Sequence, residues 1–95
     1  MAKKEVYLEK LEAQLKEWKA KIEILGEKAA KATGETKIEL TKEIKELRLK
    51  RETVKEKWSE LQKASDVAWD AIKEGAEKAV AELKNALDRI VSKLK

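Results

Sequence analysis

Apolar residues recur along this chain at alternating steps of three and four. Leu8, Leu11, Leu15, Trp18, Ile22, Leu25, Ala29 and Ala32 form one stripe, with the spacing of a coiled-coil seam. Read backwards, a second stripe consists of Leu61, Trp58, Val54, Arg51, Leu47, Ile44, Leu40 and Lys37. It meets the first across Gly34, and the residue numbers of each pair sum to 69. Such a register predicts an antiparallel helical hairpin. Only Arg51 and Lys37 are charged in the second stripe. Arg51 stands opposite Trp18, where it is expected to lie over the indole, bury its methylenes and send its guanidinium to water.

The first helix is predicted over residues 3–32. It should end at Thr33-Gly34, where glycine adopts the left-handed conformation without a Cβ clash. Thr36 with Glu39 then reads as a capping box for a second helix over 36–64. Gly26 sits inside the first stripe and costs that helix about 0.5 to 1 kcal/mol relative to alanine without breaking it. After Leu61 two readings are open. The stripe continues through Ser65, Ala68, Ile72, Gly75 and Ala79, which suits one long second helix whose overhang is buried in a dimer. Alternatively, Ala64-Ser65-Asp66 supplies an N-cap for a third helix over 66–94. This break yields three helices of nearly equal length, about 45 Å each, and it is the preferred reading. The fold class is therefore all-α, an antiparallel coiled-coil three-helix bundle running up, down, up within one domain of residues 1–95.

From Trp69 onward the period changes to 11. Trp69, Val80 and Val91 align, as do Ile72, Leu83 and Leu94, and Lys73, Lys84 and Lys95. Such a repeat keeps its stripe nearly straight. Small residues, Ala64, Ala68, Ala71, Gly75 and Ala79, flank the stripe and widen the apolar arc enough to touch two neighbours. Ala68, Trp69, Ile72, Gly75, Ala76, Ala79, Val80, Leu83, Leu87, Ile90 and Leu94 are thus the expected partner surface.

Composition narrows the chemistry. Histidine, cysteine, proline and phenylalanine are absent, and charged residues make up 44% of the 95 positions. Helix is the regular structure this favours. Without cysteine there is neither a disulfide framework nor a thiolate metal site. The N-terminal Lys3-Lys4 lacks a following apolar run, because Glu5, Glu9 and Lys10 interrupt it, so a cytoplasmic location is expected. No stretch approaches the roughly 20 apolar residues that span a bilayer.

The net charge of +4 is spread thinly: 8 basic against 6 acidic residues in 1–33, 9 against 7 in 34–64, and 6 against 6 in 65–95. Glu-to-Lys pairs four apart, among them Glu12 with Lys16, Glu17 with Lys21 and Glu46 with Lys50, mark solvated helix faces.

Catalysis would have to use carboxylates, lysine, Tyr7 or a hydroxyl on open helical faces, so no enzyme and no cofactor is expected. The carboxylate pairs Glu39 with Glu43 and Glu52 with Glu56 lack the histidines of a di-metal bundle site. Arg48-Leu49-Lys50-Arg51, with Lys45, Lys55 and Lys57, is the one basic cluster. Glu43, Glu46, Glu52 and Glu56 interleave with it and disfavour nucleic acid as a ligand. The three tryptophans fall on the seam or begin the repeat, and packing accounts for them.

Three segments, Tyr7-Leu8-Glu9-Lys10-Leu11-Glu12 through Trp18, Ile44-Lys45-Glu46-Leu47-Arg48, and Ala68-Trp69-Asp70 through Asp88, resemble the short bacterial coiled-coil domain-containing proteins of uncharacterised function. The narrow Lys, Glu, Leu and Ala alphabet also suits a consensus or designed helical sequence. The resemblance implies no catalytic or binding residues. The expected function is a non-enzymatic interaction or self-assembly module that recruits a protein partner or a second copy as a homodimer. The alternative is an amphipathic stress-type protein that coats lipid or unfolded-protein surfaces.

Overall fold

The computed structural model describes residues 2–94, which form three helices: α1 (Ala2–Ala30), α2 (Gly34–Lys63) and α3 (Asp66–Lys93). The bundle measures 50 × 18 × 18 Å, so helices of this length, about 45 Å, lie along its long axis from end to end. α2 packs along both neighbours, while α1 and α3 meet far more sparsely. Lys4 is paired with Asp66, and Tyr7 packs on Trp69, which places the starts of α1 and α3 at one end. Lys93 returns to Glu39 and Glu43 at the other. This is the up-down-up arrangement, and the long second helix is not formed.

The break that decides between the two readings is local. Ala64 and Ser65 are both extended, at ψ 141° and 167°. Ser65 Oγ accepts a hydrogen bond from the Ala68 N–H at 3.3 Å, which satisfies one of the donors left unpaired at a helix start.

The first turn differs from expectation. α1 stops at Ala30, and its last turn tightens as the Lys31 and Ala32 N–H groups bond the carbonyls of Lys28 and Ala29. Gly34 is left-handed at φ +63°. It opens α2 itself instead of closing α1, so the helix begins two residues before Thr36. The predicted capping box does not form: Thr36 lies inside the first turn, Thr33 occupies the cap position with no side-chain bond, and Glu39 is engaged by Lys93.

Each helix contributes one apolar stripe to a common core. Leu11, Leu15, Trp18, Ile22, Leu25 and Ala29 come from α1, and Leu40, Ile44, Leu47, Val54 and Leu61 from α2. Trp69, Ala76, Leu83, Leu87 and Ile90 complete it from α3. The seam frays at its ends, where Leu8, Trp58 and Ala32 are half-buried and Lys37 is exposed. Lys95, the third lysine of the 11-residue repeat, lies outside the described residues.

Arg51 also departs from expectation. Its Nε donates to the Leu15 carbonyl at 3.0 Å, and its Nη1 lies 3.8 Å from Glu52 Oε1. The guanidinium is therefore tied to the α1 backbone one turn from Trp18. Cation–π contacts among the described residues involve Lys4 with Trp69 and Lys73 with Tyr7 instead. A backbone carbonyl on a partly desolvated helix face competes well with an indole for a planar donor.

The turn generates a stability prediction. No atom lies within 4 Å of a Cβ built on Gly34, so a substitution there acts through backbone conformation alone. Gly34→Ala should destabilise the bundle by about 1 to 2 kcal/mol and Gly34→Asn by less, since asparagine tolerates the left-handed region. Urea denaturation of the three proteins measures this, and equal midpoints would contradict it.

Candidate interaction surface

The eleven residues of the expected partner surface divide in the structure. Trp69, Ala76, Leu83, Leu87 and Ile90 are buried in the core, and a partner cannot reach them in the closed bundle. Ala68, Ile72, Gly75, Ala79, Val80 and Leu94 are half-buried. The arc is as wide as the small flanking residues suggest. Its width is spent inside the chain, against α1 on one side and α2 on the other. Gly75 shows how closely: a Cβ there would lie 3.7 Å from Lys57 Cε.

Polar side chains guard the two ends of the bundle. At one end the Tyr7 and Trp69 rings meet edge to face, 6.0 Å between centroids at 76°. Lys4 lies 5.2 Å from the Trp69 centroid, and Lys73 lies 5.0 Å from that of Tyr7. The Trp58 indole N–H donates to the Leu8 carbonyl at 3.0 Å, as a partly buried indole requires. Burial pushes the Tyr7 hydroxyl above its ordinary pKa, and the Glu77 charge adds to this. Tyr7 was not singled out as packing because it stands off the seam, although its aromatic ring next to Leu8 was a visible signal.

At the other end Lys93 Nζ bridges Glu39 Oε1 at 2.7 Å and Glu43 Oε1 at 2.6 Å. The second Glu43 oxygen is buried without a hydrogen-bond partner. Hydrogen bonding to Lys93, then its charge, holds the Glu39 carboxyl below its ordinary range, and the same bonds raise the Lys93 ammonium. Asp66 is lowered in the same way by Lys4. These shifts arise from cross-helix ion pairs at the surface. Among the described residues no group of three or more His, Cys, Asp or Glu is placed to hold a metal, and no helix is long and apolar enough to cross a membrane.

Between the helices run shallow furrows. The one between α1 and α3 holds two depressions, of about 240 and 270 Å³, along Tyr7, Leu11, Gln14, Val80 and Leu87. Lys10, Glu17, Lys21, Glu77, Lys84 and Asp88 line it with mixed charge. A depression of about 290 Å³ opens between α1 and α2, on Ile22 and Leu49, among Lys19, Lys45, Arg48, Arg51, Glu23 and Glu52. Leu49 is 61% exposed and borders both this depression and one of about 270 Å³ between α2 and α3, which Glu46, Lys50, Thr53, Ala79 and Glu82 line. The basic cluster whose interleaved acids disfavour nucleic acid thus borders an apolar depression. The neglected signal was Leu49 itself, an apolar residue off the seam between Arg48 and Lys50.

Comparison with protein-family models, with curated proteins and with solved structures finds no match to this chain.

The Lys93 bridge generates a pH prediction. Glu39 releases its proton more readily folded than unfolded, so its contribution is complete above the ordinary value of 4.5 and is lost as the pH falls below that. Lys93 holds its proton more tightly when folded, so its contribution is complete below 10.5 and is lost as the pH rises beyond it. Urea midpoints should therefore fall from about pH 7 to about pH 3 and again towards about pH 11, and Lys93→Gln should flatten both limbs. Limbs of unchanged slope in the variant would show that the bridge contributes nothing in water.

Proposed function

We propose that this protein is a non-enzymatic helical-bundle module that acts by binding another protein or a further copy of itself. The observation that carries this reading is the set of apolar-floored furrows between helices whose core is already filled. They are open depressions of about 240 to 290 Å³ that lie along the helix boundaries. Open apolar depressions along a helix boundary suit an added helix, which lays its anchors at i, i+3, i+4 and i+7 into such a surface. Small-molecule sites, by contrast, are enclosed and run to about 300–1,000 Å³.

The surface-coating alternative makes a different demand. α3 is the most sharply two-sided of the helices, yet Trp69, Leu83, Leu87 and Ile90 lie in the core. To present that stripe to lipid, α3 would have to leave the bundle. This would expose several large side chains, each worth about 1.5 to 3 kcal/mol when buried.

The two readings separate by experiment. A docking module should sediment as one discrete species, keep its helicity and tryptophan emission when anionic vesicles are added, and form adducts of discrete mass in cells. The adducts would come from photo-crosslinkers placed singly at Leu49 or Val80. Vesicle-induced shifts in emission, with no adduct from either position, would overturn the module reading in favour of the surface-coating one.

A further inference from the structure

We infer that the α1–α2 furrow docks an acidic amphipathic helix of another protein, one apolar side chain entering the depression while flanking carboxylates meet the rim. This rests on the module reading and names the partner class of one of its surfaces.

Charge sets this furrow apart. Its rim carries four cations, Lys19, Lys45, Arg48 and Arg51, against two acids, Glu23 and Glu52. Among the ion pairs of the described residues, only Arg51 and Glu52 of these six take part, with each other and at 3.8 Å. Lys19, Lys45 and Arg48 are left without an acidic partner within 4.0 Å. The α1–α3 furrow offers balanced charge, and nothing there selects an occupant.

Position matters as much as sign. A Cβ built on Gly26 would stand 3.2 Å from Arg48 Nη2, so the missing side chain lets this guanidinium lie against α1 at the furrow's edge. Arg51 is held by the Leu15 carbonyl. Two guanidinium groups are thus placed before a ligand arrives, which lowers the ordering cost of binding. Beneath them Ile22 is 2% exposed, while Leu49 at 61% is the apolar residue left uncovered. A leucine-sized anchor with acidic neighbours complements this combination.

Other occupants fit less well. A second copy brings its own net charge of +4 to a cationic rim. Nucleic acid has no use for the apolar floor, and Glu23 and Glu52 interrupt the phosphate track. A bilayer is flat and needs a convex apolar stripe, whereas this is a recess with one exposed leucine.

The test uses the full chain and a labelled helical peptide with leucines at i, i+4 and i+7 flanked by glutamates, followed by fluorescence anisotropy. The acidic peptide should bind, and its counterpart with lysine for glutamate should not. Leu49→Ser should weaken binding several-fold, and Lys45→Glu with Arg48→Glu about tenfold. These positions are exposed, and circular dichroism checks that the variants fold. The charge-reversed protein should instead take the lysine peptide, a rescue that loss of folding cannot imitate. Equal binding of both peptides, or insensitivity to these substitutions, would overturn the inference. Tighter binding of a short DNA duplex or of phosphatidylglycerol vesicles by the same face would overturn it too. Crosslinks in cells from Val80 but not from Leu49 would also sink this docking site while leaving the module reading intact. Absence of both would remove the two together.

Discussion

Everything in this bundle follows from α2 having to serve two neighbours at once. Its seam residues Leu40, Ile44, Leu47, Val54 and Leu61 form a wall shared by α1 and α3, and Leu47 and Val54 are sealed completely, as are Ala76 and Leu83 of α3. Midway between Leu47 and Val54 the seam calls for another apolar residue and finds Arg51. An unpaired guanidinium there would cost several kcal/mol. It is relieved by the Leu15 carbonyl and by leaving the core on the α1 side, where Glu52 meets it. The α1–α2 furrow is where that side chain leaves the core, and it adds one cation to a rim that Lys19, Lys45 and Arg48 also supply.

Much of the architecture was legible because helical periodicity is a strong signal. The three stripes, the left-handed Gly34 and the Ser65 cap could be read from spacing and residue type, since each meets a backbone requirement within a few residues. What escaped depends on the relative rotation and offset of helices. A register of sums says that Arg51 belongs to the layer of Trp18. It does not say which acceptor a side chain longer than one helical turn will choose, and a pitch of about 5.4 Å separates the two. The capping box failed because α2 begins two residues early, with Thr33 at the cap and Thr36 already in the first turn, while Glu39 turns to Lys93, which is 54 residues away in sequence. The partner surface was half legible. Periodicity located the apolar arc on α3 but could not tell an arc that covers two internal neighbours from one that awaits a third.

Magnitudes separate what holds the bundle from what orients it. Truncating one buried leucine costs about 2 to 5 kcal/mol. An exposed ion pair contributes about 0 to 1 kcal/mol, and of the Glu-to-Lys pairs read from the sequence, Glu12 with Lys16 and Glu17 with Lys21 are formed, at 3.5 and 3.1 Å. The apolar stripes therefore supply the stability. Cross-helix polar contacts act on top of that, on the flank of the α1–α2 hairpin that α3 occupies.

Charge agrees with the side that α3 takes. On the flank that α3 occupies, the first turns of α1 present Lys4, which pairs with Asp66, then Tyr7 and Lys10. The opposite flank is marked by Lys19 and Glu23 in the α1–α2 furrow. Stepped back in sevens, the same flank carries Glu12 and Lys16, then Glu5 and Glu9. A third helix entering there would bring Asp66 and Asp70 towards three glutamates. Like charges at close range oppose that arrangement, and the Lys4 and Tyr7 contacts favour the other. Each contribution is small, and all of them point the same way. Charge on the first turns of α1 thus agrees with the side that α3 takes, which leaves the basic α1–α2 furrow uncovered.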